Sequence, residues 1–136
     1  MGRLVNVVAA ASGVHIPLRE AEAVTFVTFV DAGNQVATIK QSQGGASEKV
    51  LDVDVRPYKG PGVGGTWTFM AEQDDTLDLG GDATNDCMVF TVGAEQLDVD
   101  GDFDCVEVTV SAGICVALTH ELRTGRSPEK LERQVV

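Results

Sequence analysis

The 136-residue chain lacks the apolar spacing of a helix over anything longer than about two turns. It also lacks an apolar run near the ~18 residues that a membrane-spanning helix requires. The N-terminal apolar run is short and is broken at Asn6, so a secretory leader is not favoured. These absences exclude a helical bundle and a membrane helix, and we expect one soluble domain with one core.

Cysteine and histidine are too few and too widely spaced for a zinc motif. Cys87, Cys105 and Cys115 include no C-x-x-C pair, and neither His15 nor His120 lies at the short spacing of zinc ligands. We therefore predict buried thiols in a reducing compartment, with no disulfide and no metal ion.

Basic residues are missing from the whole of residues 60–122, which carry thirteen acidic groups and no Lys or Arg. Phosphate contacts need Lys and Arg, so this segment argues against nucleic acid as the partner. We expect the acidic groups to hydrate a β surface and to limit self-association.

The apolar residues are mostly valines, and many of them recur at every second position, which is typical of β-strands. "AVTFVTFVDAG" places Val24 and Phe26 on one face and Val27 and Phe29 on the other, so a strand covered on both faces is predicted. "DAGN" is a turn signal, after which "QVATIKQS" is expected to return as the pairing strand. "KVLDVDVRPYKG", the glycine loop "GPGVGGT" and "CMVFTV" continue the pattern of short strands and turns.

We accordingly predict an all-β fold: a single-domain antiparallel β-sandwich or barrel-like fold with extended N- and C-terminal segments. Residues 1–19 are expected to form an N-terminal arm and residues 20–122 the β core. Residues 123–136 are expected to form a polar basic C-terminal tail.

The segment "DCVEVTVSAGICVALTH" predicts a closing hairpin around the three-residue loop 111–113, with Gly113 in the left-handed conformation. This register sets Val108 opposite Val116 as an inward pair. Glu107 is then expected on the opposite, outward face.

The stretch "EQLDVDGDFDCVEVTV" resembles an EF-hand calcium loop in its spacing, with Asp98, Asp100, Gly101 and Glu107 at positions 3, 5, 6 and 12. Gln96 stands where the motif has Asp, and strand sequence flanks the loop where helices are required. We interpret it as an Asp-Gly turn, with bound calcium and catalytic carboxylates as the alternatives.

Catalytic signatures are missing elsewhere. The glycine loop lacks the G-K-[ST] of a phosphate site, and no serine lies in G-x-S-x-G. His120 is expected to be exposed or capping at a strand end. Tyr58 and Trp67 are expected to pack in the core or at a sheet edge, with a sugar platform as the alternative. We therefore expect no catalytic, cofactor-binding or metal-binding residues and no enzymatic activity.

The layout looks like a group of small virion proteins of tailed bacteriophages, typically encoded near the major capsid protein. The matching segments lie within residues 20–126: "AEAVTFVTFVDAG", "GGASEKVLDVDVRPYKGPGVGGTWT" and "LDVDGDFDCVEVTVSAGICVALTHELR". The resemblance implies a non-enzymatic structural virion protein, a head decoration or cement protein that forms a dimer or trimer. It would be assembled in the host cytoplasm on the major capsid protein, with no nucleic-acid or membrane partner. The alternative is a β-sandwich binding module for carbohydrate or calcium.

The two chain ends are expected to order on a partner and to make the contacts to the capsid or to sister subunits, because "GRLVNVVAAA" is nearly uncharged and "RTGRSPEKLERQVV" is net basic. Deleting residues 124–136 should leave a folded β domain and weaken attachment to particles in a co-sedimentation assay with empty heads. Undiminished binding by the shortened chain would remove the tail from this hypothesis.

Overall fold

The computed structural model describes residues 5–19, 21–31, 33–51, 54–61, 65–73, 75–80 and 86–122. Regular structure in these ranges is almost entirely β. The strands are β1 (Val5–Ala10), β2 (Ile16–Pro17), β3 (Ala21–Phe29), β4 (Val36–Gln43), β5 (Ala46–Val50), β6 (Tyr58–Gly60), β7 (Thr68–Phe69), β8 (Thr76–Asp78), β9 (Cys87–Gly93), β10 (Cys105–Val110) and β11 (Ile114–Leu122). Over the same ranges, no helix has the length and apolar character needed to span a membrane.

The strands form two antiparallel sheets that pack against each other. The six-stranded sheet has the order β1-β11-β3-β9-β6-β7, and the five-stranded sheet runs β2-β10-β4-β5, with β8 also paired to β4. The predicted all-β sandwich fold is therefore confirmed.

The core lies between the two sheets. It is filled by large apolar side chains from strands in which buried and exposed residues alternate. Phe26 of β3 and Phe90 of β9 are neighbours across the six-stranded sheet, and their rings stack with centroids 5.3 Å apart. Ile39 and Val108, paired in the five-stranded sheet, are fully buried in the same cluster. Phe29, on the other face of β3, is 42% exposed, so the prediction that both faces of this strand are covered is wrong.

The chain usually crosses to the other sheet after a strand, and the two predicted hairpins are wrong for this reason. β3 pairs with β9 and β11, whereas β4 pairs with β5, β8 and β10. Likewise β10 and β11 lie in different sheets, so Val108 and Val116 do not face each other. Val108 is buried as predicted, but β11 buries Cys115, Ala117 and Thr119 in place of Val116.

Hydrogen bonds hold the two loops together where the chain crosses between the sheets. Gln35, fully buried in the β3–β4 loop, donates from Nε2 to the carbonyl oxygens of Ala112 (2.7 Å) and Phe29 (3.3 Å). Ser111 N donates to the Val36 carbonyl (2.9 Å), and Val36 N donates to Ser111 Oγ (2.9 Å). The β3–β4 and β10–β11 loops therefore lie side by side, each joining one sheet to the other.

The segment predicted as an N-terminal arm is part of both sheets over its described residues. β1 pairs with β11 over six positions, and β2 pairs with β10. Ile16 is fully buried, and Leu18 and Val8 are nearly so. The hypothesis that this segment orders only on a partner is therefore wrong for residues 5–18. The basic tail, residues 123–136, lies outside the described residues.

Gly113 has the predicted left-handed conformation, with φ +73°. A Cβ added there would also overlap the carbonyl oxygen of Phe29, where the two loops meet. Gly113→Ala should therefore lower the free energy of unfolding by about 3 kcal/mol or more, combining backbone strain with a steric clash.

Gly33→Ala is the matched control, because Gly33 has a similar φ of +84° and open space around an added Cβ. Its cost should stay near the ~1–2 kcal/mol of left-handed strain alone. Equal losses for the two variants in urea unfolding would show that the loop contact contributes nothing.

Candidate functional site

The acidic stretch before β10 folds as turns, as predicted. Two short 3₁₀ segments, Ala94–Gln96 and Val99–Gly101, precede the strand. Asp98 Oδ1 accepts a hydrogen bond from Gly101 N (3.1 Å), and its Oδ2 accepts one from Lys49 Nζ (2.6 Å). The Asp98 carboxylate thus stabilises the turn around Asp100-Gly101 by accepting a bond from a nearby amide.

The carboxylates that fit the calcium spacing have separate partners. Asp98 is paired with Lys49, whereas Glu107 accepts a hydrogen bond from Gly13 N (2.6 Å). The intervening Asp104 accepts one from Gly44 N (2.8 Å). These partners lie in different loops and strands, so the arrangement gives the turn a structural role.

Lys49 also changes the acidity of Asp98. Its hydrogen bond is the largest cause that holds the pKa of this carboxyl below its ordinary value of 3.8, and the Gly101 amide adds to the effect. Because the folded-state pKa is lowered, the contribution of Asp98 to stability is present above the unfolded pKa and is lost as pH falls through the folded pKa.

An exposed aromatic surface lies at the free end of the six-stranded sheet. We call Tyr58, Trp67 and Phe69 the aromatic edge; they are 40%, 48% and 41% exposed. The rings of Tyr58 and Phe69 tilt at 48° with centroids 5.5 Å apart, and the Arg56 guanidinium lies 4.7 Å above Phe69. Trp67 packs against Gly60, where a Cβ would meet its ring at 2.8 Å. Tyr58 and Trp67 therefore lie at a sheet edge, one of the two predicted locations.

A surface depression of about 560 Å³ lies beside the aromatic edge. Polar groups line it together with Tyr58, among them Arg56, Glu72, Glu95 and Gln96. Arg56 is paired with Glu72 at 2.8 Å. The depression therefore offers one aromatic face and several hydrogen-bonding groups to a ligand.

Glu107 belongs to a second candidate site, and the prediction that its side chain is exposed is wrong. It does point away from the core, on the opposite face of β10 from Val108, yet it is only 4% exposed. The loop between β1 and β2 covers it through the Gly13 amide. Two-residue alternation predicted the face correctly but could not predict a loop lying over that face.

Glu107 forms a histidine–carboxylate cluster with His15 and Glu48 on the outer face of the five-stranded sheet. His15 Nε2 lies 3.4 Å from Glu48 Oε1 and 3.9 Å from Glu107 Oε2. His15 is 5% exposed, and its Nδ1 is 3.0 Å from Ser42 Oγ. One ligand atom from each of the three residues lies within 4.8 Å of the others, a geometry able to hold a metal ion.

The fold brings these three residues together from distant parts of the chain. His15 immediately precedes β2, Glu48 lies in β5 and Glu107 in β10. β2 and β5 lie on opposite sides of the β10–β4 pair. No short spacing links the three residues, so motif reasoning missed the cluster. Its one sequence signal is a lone charge inside the strand "CVEVTV".

The prediction for the cysteines is confirmed in their burial, whereas that for His120 is wrong. His120 is half-buried within β11, with Nε2 2.8 Å from Thr25 Oγ1, so it is neither exposed nor a cap. All three cysteines are buried and outside any disulfide. Burial raises the pKa of the Cys115 thiol to about 12 and also raises that of Cys87.

Comparison with known proteins identifies no family. No family model and no curated protein match the chain. One solved structure, the Yersinia pseudotuberculosis-derived mitogen, is 10% identical with a TM-score of 0.33, covering 97% of this chain and 96% of that chain. A likeness of that degree does not relate the two proteins in fold or function.

The Lys49–Asp98 pair gives a pH-dependent prediction. In an NMR titration, the Asp98 carboxyl should titrate below 3.8, and Lys49→Met should move the midpoint back toward that value. Lys40→Met is the control, since Lys40 contacts Glu48 and not Asp98. An unchanged Asp98 midpoint in Lys49→Met would exclude the lysine as the cause.

Proposed function

We propose that the chain is a non-enzymatic structural protein of a tailed-phage virion. In this proposal it decorates and stabilises the head by binding the major capsid protein, as a homo-oligomer assembled in the host cytoplasm. The resemblance described above supplies the partner. The aromatic edge is the structural observation that carries the proposal.

The composition of the aromatic edge supports a protein partner. Soluble domains seldom expose several large apolar side chains together, except where something binds. Tyr, Trp and Arg are the residues most enriched among those that dominate binding energy at protein interfaces. Here Tyr58, Trp67 and Phe69 lie together, and Arg56 stacks on one of the rings.

The position of the aromatic edge also supports docking. β7 is the last strand of the six-stranded sheet and pairs on one side with β6. An edge strand exposes backbone donors and acceptors that a strand of another chain can use. A capsid lattice repeats the same partner surface, so many weak contacts of this kind add up through avidity.

The thiol chemistry is consistent with a non-enzymatic role. Cys87 and Cys115 are buried with raised pKa values, so they remain protonated at neutral pH. A protonated thiol is a poor nucleophile.

Carbohydrate binding is the second candidate, favoured by the 560 Å³ depression beside Tyr58. An aromatic face next to paired ionic groups such as Arg56 and Glu72 can stack on a sugar ring and bond its hydroxyls. Weaker binding to heads in the presence of free glycans would favour this candidate over a protein contact.

A double variant tests the aromatic edge. Tyr58→Ser with Phe69→Ser removes two exposed rings, and we expect it to bind empty heads at least about tenfold more weakly, a loss of about 1.4 kcal/mol. The heads are assembled from the major capsid protein of the phage to which the proposal assigns this chain, and binding is measured by co-sedimentation.

Ile114→Ser is the matched control. Ile114 is 61% exposed and lies on β11, separated from β6 by β3 and β9. The Ile114→Ser substitution removes exposed apolar area at a distance from the aromatic edge. It should change binding to empty heads by less than about threefold. If both proteins bind equally well, the aromatic edge is not the docking surface; if wild type fails to bind heads at all, the virion proposal is wrong.

A further inference from the structure

We propose that His15, Glu48 and Glu107 form a binding site for a divalent transition-metal ion of the zinc type. This site is argued from its own residues and does not rest on the proposed function. It also replaces the expectation that the chain carries no metal-binding residues.

The distances in the cluster suit such an ion. Zinc binds imidazole nitrogen and carboxylate oxygen at about 2.0–2.2 Å, which separates neighbouring ligands of a tetrahedral site by about 3.3 Å. His15 Nε2 is 3.4 Å from Glu48 Oε1 and 3.9 Å from Glu107 Oε2. The Glu48 side chain is 38% exposed, so it can turn toward the other two ligands with little steric hindrance.

The donor set distinguishes among metals. One imidazole nitrogen and two carboxylate oxygens match zinc and neighbouring transition metals, whereas calcium and magnesium prefer oxygen ligands throughout. The two carboxylates also balance the charge of a divalent ion. The cluster shares Glu107 with the calcium spacing of the acidic turn, but its other two ligands, His15 and Glu48, lie outside that turn.

The surroundings orient the ligands as metal sites require. A metal-binding histidine usually bonds a neighbouring group through its second ring nitrogen, which directs the first at the ion. His15 Nδ1 has that partner in Ser42 Oγ at 3.0 Å, and both carboxylates lie on the Nε2 side. The Gly13 amide holds the Glu107 carboxylate in place at 2.6 Å.

The burial of Glu107 supports a bound cation independently of the ligand distances. A carboxylate that is 4% exposed is costly unless it is paired. Lys40 lies directly opposite Glu107 across the strands, yet its ammonium group contacts Glu48, at 3.9 Å. Among described residues, no Lys or Arg nitrogen lies within 4.0 Å of Glu107. The positive charge within reach of Glu107 is therefore that of a protonated His15, and a divalent ion bound between the three side chains would take its place.

An entry path and room for a further ligand are also present. A surface depression of about 380 Å³ reaches Glu48 and Glu107 and is otherwise lined by Ser12, Gly13, Thr38, Lys40 and Thr109. Three protein ligands leave a fourth tetrahedral position for water or a partner's side chain. Because the ligands come from the β1–β2 connection, β5 and β10, an ion would also cross-link three separate segments.

The test uses the full chain, stripped of metal with a chelator and titrated with zinc chloride at about pH 7.5. We expect one ion per chain in calorimetry. At free zinc about 100-fold above the dissociation constant, the Tm should rise by on the order of 10 °C. Calcium chloride at the same concentration should leave the Tm nearly unchanged.

The chain offers a matched pair of variants, because it has only two histidines. His15→Gln should weaken zinc binding at least tenfold, whereas His120→Gln should leave it within about threefold. A second pair of variants makes the same comparison for carboxylates. Glu107→Gln changes a buried carboxylate of the cluster, and its control Asp98→Asn changes a carboxylate of the acidic turn.

NMR on the wild-type chain makes the test independent of whether a variant folds. Zinc should shift the His15 Nε2 resonance and leave that of His120 in place. Equal affinity for the two histidine variants, an unchanged His15 ring at saturation, or no binding at ~1 mM zinc would each overturn the proposal. A larger response to calcium would overturn the assigned metal class.

Discussion

The contact between the β3–β4 and β10–β11 loops sets the relation between the two sheets. Gln35 is fully buried there and bonds the carbonyl groups of Phe29 and Ala112, and two bonds between Val36 and Ser111 add to the contact. Gly113 allows the backbones to approach closely enough for those bonds. Because each loop joins the two sheets, their contact aligns β3 with β11 in one layer and β4 with β10 in the other.

Strand positions and the buried face of β10 could be read from two-residue alternation, but strand partners and the single buried face of β3 could not. Val116 and Leu118 are larger than the residues that β11 buries, so hydrophobicity favoured the wrong face. Ala117 lies opposite Phe26, whose ring stacks on Phe90, and the space these rings take leaves room for a small side chain. This fit of a small side chain beside large rings depends on β3 being the partner of β11. No local pattern in β10 or β11 predicts that pairing.

The two candidate sites differ in how much the sequence could reveal. Tyr58 and Trp67 stand out because aromatic residues are rare in this chain, and their place at an edge was anticipated. The histidine–carboxylate cluster was not, because His15, Glu48 and Glu107 are far apart in sequence and meet only across three segments. Motif reasoning detects ligands at short spacing, and it cannot detect ligands that a sheet order brings together.

The order of the six-stranded sheet also constrains how the protein forms during synthesis. β1 pairs with β11, and β3 lies between β9 and β11. β1 therefore lacks its neighbour until β11 has left the ribosome, and β3 lacks both of its neighbours until β9 (Cys87–Gly93) has done so. At about 5–20 residues per second, β3 stays unpaired for several seconds after it emerges. A strand carrying Phe26, Val27 and Phe29 is exposed to wrong pairing throughout that interval, which gives chaperones a reason to bind it.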